Sequence, residues 1–355
     1  MDMQKLIIRP MEKGEEKIVA KVGRRAFQFI EALFVGTPRK AMVADYEGKI
    51  IGAIIYKFIN TRQKQIIYID EAFVDPDYHG MGVGKKLYTE TFYYLQEWGC
   101  DAITALIKDD NVASWKSAMD NGFQRVSLAE AIKYLGLSGM IKQYFCTPMF
   151  IAVGMDFYLL CPKEKVATKK EQPSPWIPFL LGNLLLCLPM WLRLFSMHTA
   201  ELLPYITAYL TILVIFMVTR VFGANLSGLD YCYRFNNCGG LLSSFLSYWG
   251  SLFPMNTNWY PVTYENTDSF RKKLALPELV KWGVFLLLPL LCFTSSVYLH
   301  AIAELCCIFL VFLIIPIYPF DTYGAGRIYR YKKGLWLMTF VISITQLMFI
   351  SYFGN

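Results

Sequence analysis

Hydrophobic and polar positions follow two different rhythms along the chain. Through residue 162 the apolar runs are short and charges recur between them, as in strands alternating with amphipathic helices. The pattern predicts strand 6–9, helix 15–34, and strands 41–45 and 50–59 around the turn Tyr46-Glu47-Gly48-Lys49. Strand 66–74, helix 83–98, strand 102–107, helix 111–121, strand 123–126 and strand 155–161 follow. Segment 128–145, between the last two strands, is amphipathic enough to cover a substrate groove or rest on a membrane, and a plain packing helix is the simpler reading. From Trp176 onward long apolar runs take over, and five are long enough for a bilayer core: 176–195, 202–219, 279–299, 302–320 and 335–353. A shorter run, 239–253, reads as re-entrant or interfacial. The division predicts a domain over 1–162, a basic linker over 163–175 and an all-α polytopic transmembrane domain over 176–355.

Charge adds a direction to this picture. The chain of 355 residues has 35 Lys and Arg against 28 Asp and Glu, a net charge of +7. Lys163, Lys165, Lys169 and Lys170 precede the first span, Arg271, Lys272, Lys273 and Lys281 the third, and Arg327, Arg330, Lys332 and Lys333 the fifth. If the five spans alternate, all three clusters fall on one side, which predicts an integral protein of the cell membrane with a cytosolic N-terminal domain and an external C-terminus. Residues 1–9 read as a polar start into a strand rather than a signal peptide. Lysines gathered at membrane edges argue for membrane lipid as a partner and against nucleic acid. The nine cysteines are scattered without a Cys-x-x-Cys spacing, as buried residues of a reducing compartment are. Cys232 and Cys238 are spaced to pair or to bind metal, but no His or second cysteine pair stands near them in the sequence.

Chemistry concentrates at His79-Gly80-Met81-Gly82-Val83-Gly84, ahead of Lys85-Lys86-Leu87. Glycines let backbone N–H groups approach an anion, and the helix that follows adds its positive end, so the run reads as a pyrophosphate cradle. A bare strand-to-helix turn would also use glycine. Three strands in succession precede the loop, unlike a dinucleotide-binding domain, where it follows the first strand.

This order and its motifs resemble the GNAT superfamily of acetyl-CoA-dependent N-acetyltransferases, over residues 5–161. The family signature Gln/Arg-x-x-Gly-x-Gly/Ala matches His79-Gly80-Met81-Gly82-Val83-Gly84, preceded by Val74-Asp75-Pro76-Asp77-Tyr78. A second signature, Asn followed eleven and twelve residues later by Gly-Phe, matches Asn111 with Gly122-Phe123. The resemblance implies an α+β fold with a mixed central sheet, acetyl-CoA as co-substrate and no metal. It implies that Gly80, Met81, Gly82, Val83, Gly84 and Lys85 hold the pyrophosphate, and that the strand end at Phe73 and Val74 pairs with the pantetheine arm. Asn111 lies beside the thiol end by the same resemblance, and His79 stands where the family has Gln or Arg.

Acyl transfer to an amine needs a base to take a proton from the ammonium, and often an acid to protonate the leaving thiolate. Asp70 and Glu71, on the strand feeding the loop, are the base candidates, Glu71 preferred; strand alternation predicts that their side chains point to opposite faces. Where the family often has Tyr seven residues after the motif Asn, this chain has Ala118, leaving Tyr78, Tyr134 or water as the acid, or a thiolate that departs without a side-chain acid.

The ionisable residues noted in or beside the spans are Glu201, His300, Glu304 and Asp321. The segment 315–327 around Asp321, and Arg220-Val221-Phe222-Gly223, resemble site-2 protease-like membrane metallopeptidases mildly, but the His-Glu-x-x-His zinc motif is absent. The sequence therefore predicts a membrane-anchored N-acyltransferase acting on an amine-bearing small molecule, lipid or protein. The alternative is an acetyl-CoA-sensing regulatory membrane protein; a transporter, the third reading, lacks a broken, charge-lined helix pair.

Overall fold

The computed structural model describes residues 2–353 except 28, 109–110, 148–151, 167–175, 198, 264, 266, 295 and 318–319. Lys169 and Lys170, most of the expected linker 163–175 and Pro319 lie outside the described residues. The chain divides into two compact units, 1–149 with 155–170, and 150–154 with 171–355.

The N-terminal unit is built on a seven-stranded sheet. Its strands are β1 (Leu6–Pro10), β2 (Ala41–Tyr46), β3 (Lys49–Asn60), β4 (Gln65–Val74), β5 (Ala102–Lys108), β6 (Gln124–Val126) and β7 (Met155–Leu160), in spatial order β1-β2-β3-β4-β5-β7-β6. Neighbours are antiparallel except β4 and β5. A parallel pair needs a crossover, and helix α3 provides it. The helices are α1 (Glu16–Ala26), α2 (Phe29–Phe34), α3 (Val83–Glu97), α4 (Val112–Asp120) and α5 (Leu128–Cys146).

Alternation along the strands sorts the side chains to two faces. Ile54, Ile67, Ile69 and Ile103 pack with Leu87, Phe92 and Leu95 of α3 and with Ala118 of α4. Val43, Ala53, Ile55 and Phe73 pack with Val19 and Val22 of α1 on the other face. α5 covers that same second face further along, where Thr104 of β5 lies 3.2 Å from the Gln143 carboxamide. The expected helix 15–34 is two helices: Phe27 leaves α1 in an extended conformation and meets the Phe73 ring edge-on at 5.9 Å. α5 opens on a capping box between Ser127 and Glu130 and bends at Gly136, whose φ is 74°.

The C-terminal unit is mostly helical. α6 (Trp176–Leu186) and α7 (Leu188–Met197) meet at 50°, and α8 (Thr199–Ser227), α9 (Asn237–Tyr248), α10 (Asp268–Leu287), α11 (Val297–Ile314), α12 (Ala325–Tyr331) and α13 (Lys333–Phe353) follow. Strands β8 (Tyr231–Phe235) and β9 (Thr257–Pro261) flank α9 and pair antiparallel. Phe216, Phe253, Phe285 and Phe309 fill the core, the last two rings stacked at 5.2 Å. Among the described residues four helices are long and apolar enough to cross a membrane, five if the bent pair counts as one span.

Several expectations change here. The third span runs over Asp268–Phe293, not 279–299, and the second helix continues eight residues past 219 to Ser227. α9 has 12 residues, about 18 Å of helix, too short for a hydrocarbon core about 30 Å thick. Lys281 and Arg327, assigned above to membrane edges, are 0% and 5% exposed. Both are bonded to Glu278, whereas Arg271, Lys272 and Lys273 are exposed. All nine cysteines are free thiols, Cys232 and Cys238 included.

Candidate active site

The sheet opens where β4 and β5 part. The two strands pair only from Ile66–Ala102 to Ile69–Ala105; beyond this β5 continues against β7 and β4 against β3. Past Ile69, β4 therefore has no strand partner on its β5 side, and the polar backbone edge of residues 70–74 faces the gap.

A bulge sits at the parting point. Ile55 of β3 faces Glu71 while the next residue, Tyr56, faces Ile69, so Asp70 is the extra residue of β4. A bulge shifts the side-chain phase by one. Ile69 accordingly packs toward α3 while Phe73, four residues on, packs toward α1. This overturns the expected opposite-face placement of Asp70 and Glu71. Asp70 pairs at 2.6 Å with Lys57, a β3 residue in phase with Ile55, and Glu71 is in phase with Phe73, so both carboxylates lie on the α1/α5 face.

The two acids are not equivalent. Asp70 is held by Lys57, whose ammonium is also 3.5 Å from the Cys146 carbonyl at the end of α5. Glu71 is partly buried, and its Oε2 is fully buried without a hydrogen-bond partner among the described residues. Burial, then the neighbouring Asp70 charge, raises its carboxyl to about 7, with Lys57 opposing. Tyr68, 3% exposed, stands within electrostatic range of both acids, and burial raises its phenol.

At the end of β4 the chain turns through Pro76–Tyr78, where the Asp75 carboxylate accepts the Asp77 N–H at 3.1 Å. Arg25 of α1 anchors this turn, 3.2 Å from Asp75 and 3.0 Å from Asp77. Gly80 and Gly82 have φ of 76° and 82°, a region that favours glycine, and Gly82 caps α3. The first-turn N–H groups of a helix have no carbonyl within it, so those of Val83, Gly84 and Lys85 are available at the exposed loop. Met81 and Lys85 are exposed, whereas Lys86 turns back to the Leu6 carbonyl at 2.5 Å. The His79 ring Nε2 lies 2.9 Å from the Val74 carbonyl.

Asn111 is the N-cap of α4, accepting the Ser114 N–H at 3.2 Å. Ala118 is 0% exposed, so a phenol there would have to displace core. The tyrosines considered above are engaged elsewhere: Tyr78 packs on the α3 face with its hydroxyl 3.3 Å from the Lys49 ammonium, and Tyr134 donates to the Lys165 carbonyl at 3.3 Å. Sequence reasoning missed Tyr88. This α3 residue, 8% exposed, is within interaction range of the Ser114 side chain in the first turn of α4, and burial raises its phenol.

Residues 7–123 match the model of the Acetyltransferase (GNAT) family. Solved structures similar to this chain include N-acetylglutamate synthase from Neisseria gonorrhoeae with coenzyme A and N-acetyl-glutamate, at 16% identity and a TM-score of 0.32. That likeness covers 45% of this chain and 35% of the synthase, so the chain spans about a third of its length. The ribosomal-protein-S18-alanine N-acetyltransferase from Escherichia coli is similar at 17% identity and a TM-score of 0.31, over 48% of this chain and 99% of that one. A GNAT family acetyltransferase from Brucella melitensis in complex with acetyl-CoA is similar at 15% identity and a TM-score of 0.29, over 46% and 93%. No curated protein matches the chain. The family match ends at residue 123, and the metallopeptidase resemblance of the helical unit finds no support in it. The N-terminal unit has the GNAT fold, a mixed sheet between helices, and carries a GNAT acetyltransferase domain at residues 7–123.

Proposed function

We propose that the chain is a membrane-anchored N-acyltransferase that moves an acetyl group from acetyl-CoA to an amine. The observation that carries this reading is Glu71: a carboxylate with a buried, unpartnered oxygen and a raised pKa, at the mouth of a gap in the sheet beside a glycine-rich helix N-terminus. The free amides at Met81–Lys85 suit a pyrophosphate, and the open edge of β4 at Phe73 and Val74 suits an extended arm with amide groups. Asn111 stands at the start of α4, where the thioester end would lie.

In this scheme Glu71 accepts the proton of the ammonium, the freed lone pair attacks the thioester carbonyl, the carbon–sulfur bond breaks with its electron pair leaving on sulfur, and the attacking nitrogen gives its second proton to water. The Tyr88 phenol, neutral at pH 7, is positioned on α3 against α4 to return a proton to the thiolate, and Tyr68 and Asp70 surround the base. His79 adds charge to the phosphate end when protonated. The apolar helices anchor the enzyme in the cell membrane, with the N-terminal unit on the cytosolic side and the C-terminus external. Exposed Arg271, Lys272, Lys273, Lys332 and Lys333 beside spans support that orientation. The acceptor is a membrane-associated or cytosolic amine.

A second reading, an acetyl-CoA sensor, is favoured by one observation: the family's tyrosine position is Ala118, sealed in the core. Thiol release from acetyl-CoA by the full chain with a mixture of amines separates the two. The enzyme reading predicts amine-dependent release, lost in Glu71→Gln and in a Gly82/Gly84 double substitution. Tight acetyl-CoA binding with no amine-dependent release would favour the sensor.

A further inference from the structure

The helical unit holds more positive charge in its interior than it pairs. Arg220 of α8 is 0% exposed, and its Nε, Nη1 and Nη2 have no hydrogen-bond partner among the described residues. Its guanidinium carbon lies 4.0 Å from the centre of the Phe216 ring, one helical turn earlier, and the Lys281 ammonium from α10 lies 5.0 Å from the same ring. A ring face attracts the charge but leaves the N–H donors unmet.

The nearby acid is already taken. Glu278, buried on α10, receives Lys281 on one oxygen and Arg327 on the other at 3.1 Å. Lys281 also donates to the Tyr323 carbonyl at 2.7 Å, and Arg327 to the Trp259 carbonyl at 2.8 Å. Asp321, 6% exposed, faces Arg330 at 3.8 Å. Glu278, Arg327, Tyr233, Tyr323 and Lys281 are in electrostatic range of Arg220. Among the described residues of this cluster the cations Arg220, Lys281 and Arg327 meet one carboxylate, that of Glu278. The tight approach of α8 to α10 holds Arg220 here: a Cβ on Gly223 would sit 2.5 Å from Pro277 Cα, next to Glu278.

A buried guanidinium whose donors are unmet, and whose nearest carboxylate is hydrogen-bonded to two other cations, is strongly unfavourable. Water would satisfy the donors but not the charge, and ionisable groups inside apolar helical bundles mark binding sites by default. We propose that Arg220 is the principal ligand of an oxyanion site inside the helical unit, taking a carboxylate or phosphate group in its planar fork, with Lys281 adding charge. The fork's paired N–H groups match two oxygens of such a group in a way a point cation does not. The same chemistry is offered by a free acid and by an anionic lipid headgroup. The site is independent of acyl transfer.

The test uses the full chain in phosphatidylcholine nanodiscs and follows the unfolding midpoint at constant ionic strength, with chloride replaced by inorganic phosphate or by acetate. A parallel set of discs contains phosphatidic acid. A saturable rise of at least about 3 °C is expected in one arm. Response to the free anions identifies a soluble ligand, and response to phosphatidic acid alone identifies a headgroup. Arg220→Gln abolishes the rise, and Arg220→Lys, which keeps the buried charge and hence the fold, raises the half-saturating concentration at least about tenfold. No saturable rise in the wild-type chain in any arm, or an undiminished rise in Arg220→Lys, overturns the proposal.

Discussion

Glu71 is where the chemistry of the N-terminal unit becomes measurable. Its carboxyl is raised to about 7 by burial and by Asp70, so the base form dominates only above neutrality. Acetylation is expected to climb about tenfold per pH unit below that value and level off above it. Glu71→Gln should flatten the profile and lower the rate at pH 8 by about 10²–10⁴-fold. The same shift fixes the sign for stability. A carboxyl whose folded pKa is raised stabilises the fold fully below its unfolded pKa, and this is lost as pH rises through about 7. The Gln variant should therefore melt above wild type at pH 8 and beside it at pH 4, by circular dichroism of the full chain. Tyr88→Phe should lower turnover about 10–100-fold while leaving acetyl-CoA affinity unchanged in calorimetry; equal turnover would remove Tyr88 from the acid role. The glycine loop was legible in sequence because positive φ at Gly80 and Gly82 all but demands glycine. Tyr88 was not, since its place depends on how α3 packs against α4.

Strand β4 and the pair α8/α10 show how local pattern fails. The run 66–74 reads as an unbroken strand, but a bulge is a one-residue event set by the partner strand, and it turned Asp70 and Glu71 to one face. Hydropathy stopped the second span at 219 and began the third at 279 because Arg220 and Glu278 look like span ends. The structure carries both helices through these positions, where Glu278 meets Lys281 and Arg327. β8 and β9, five residues each, were hidden because windows tuned to long apolar runs pass over them. Glu278→Gln, which leaves the buried Lys281, Arg327 and Arg220 without their shared carboxylate, should destabilise the helical unit by about 3–5 kcal/mol in denaturant unfolding of the full chain. Gly223→Val should cost at least about 1–3 kcal/mol, because its side chain meets the backbone of Pro277 rather than a movable group.

Across the molecule, composition alone separated a charged, alternating half from an apolar helical one, and the GNAT fold of the first was readable from strand order and two motifs. The helical half was readable only in outline: its long apolar runs stood out, but its hairpin, its bent first helix pair and its buried charges depend on tertiary contacts. In the proposed function, the two halves joined in one chain would bring an acyl-transfer site to amines at a membrane. That claim is tested most directly by mass spectrometry of acetylated amines from cells carrying either the wild-type chain or Glu71→Gln at equal abundance. The account predicts a discrete set of N-acetylated molecules present with wild type and missing with the variant; identical acetylation in the two would contradict it.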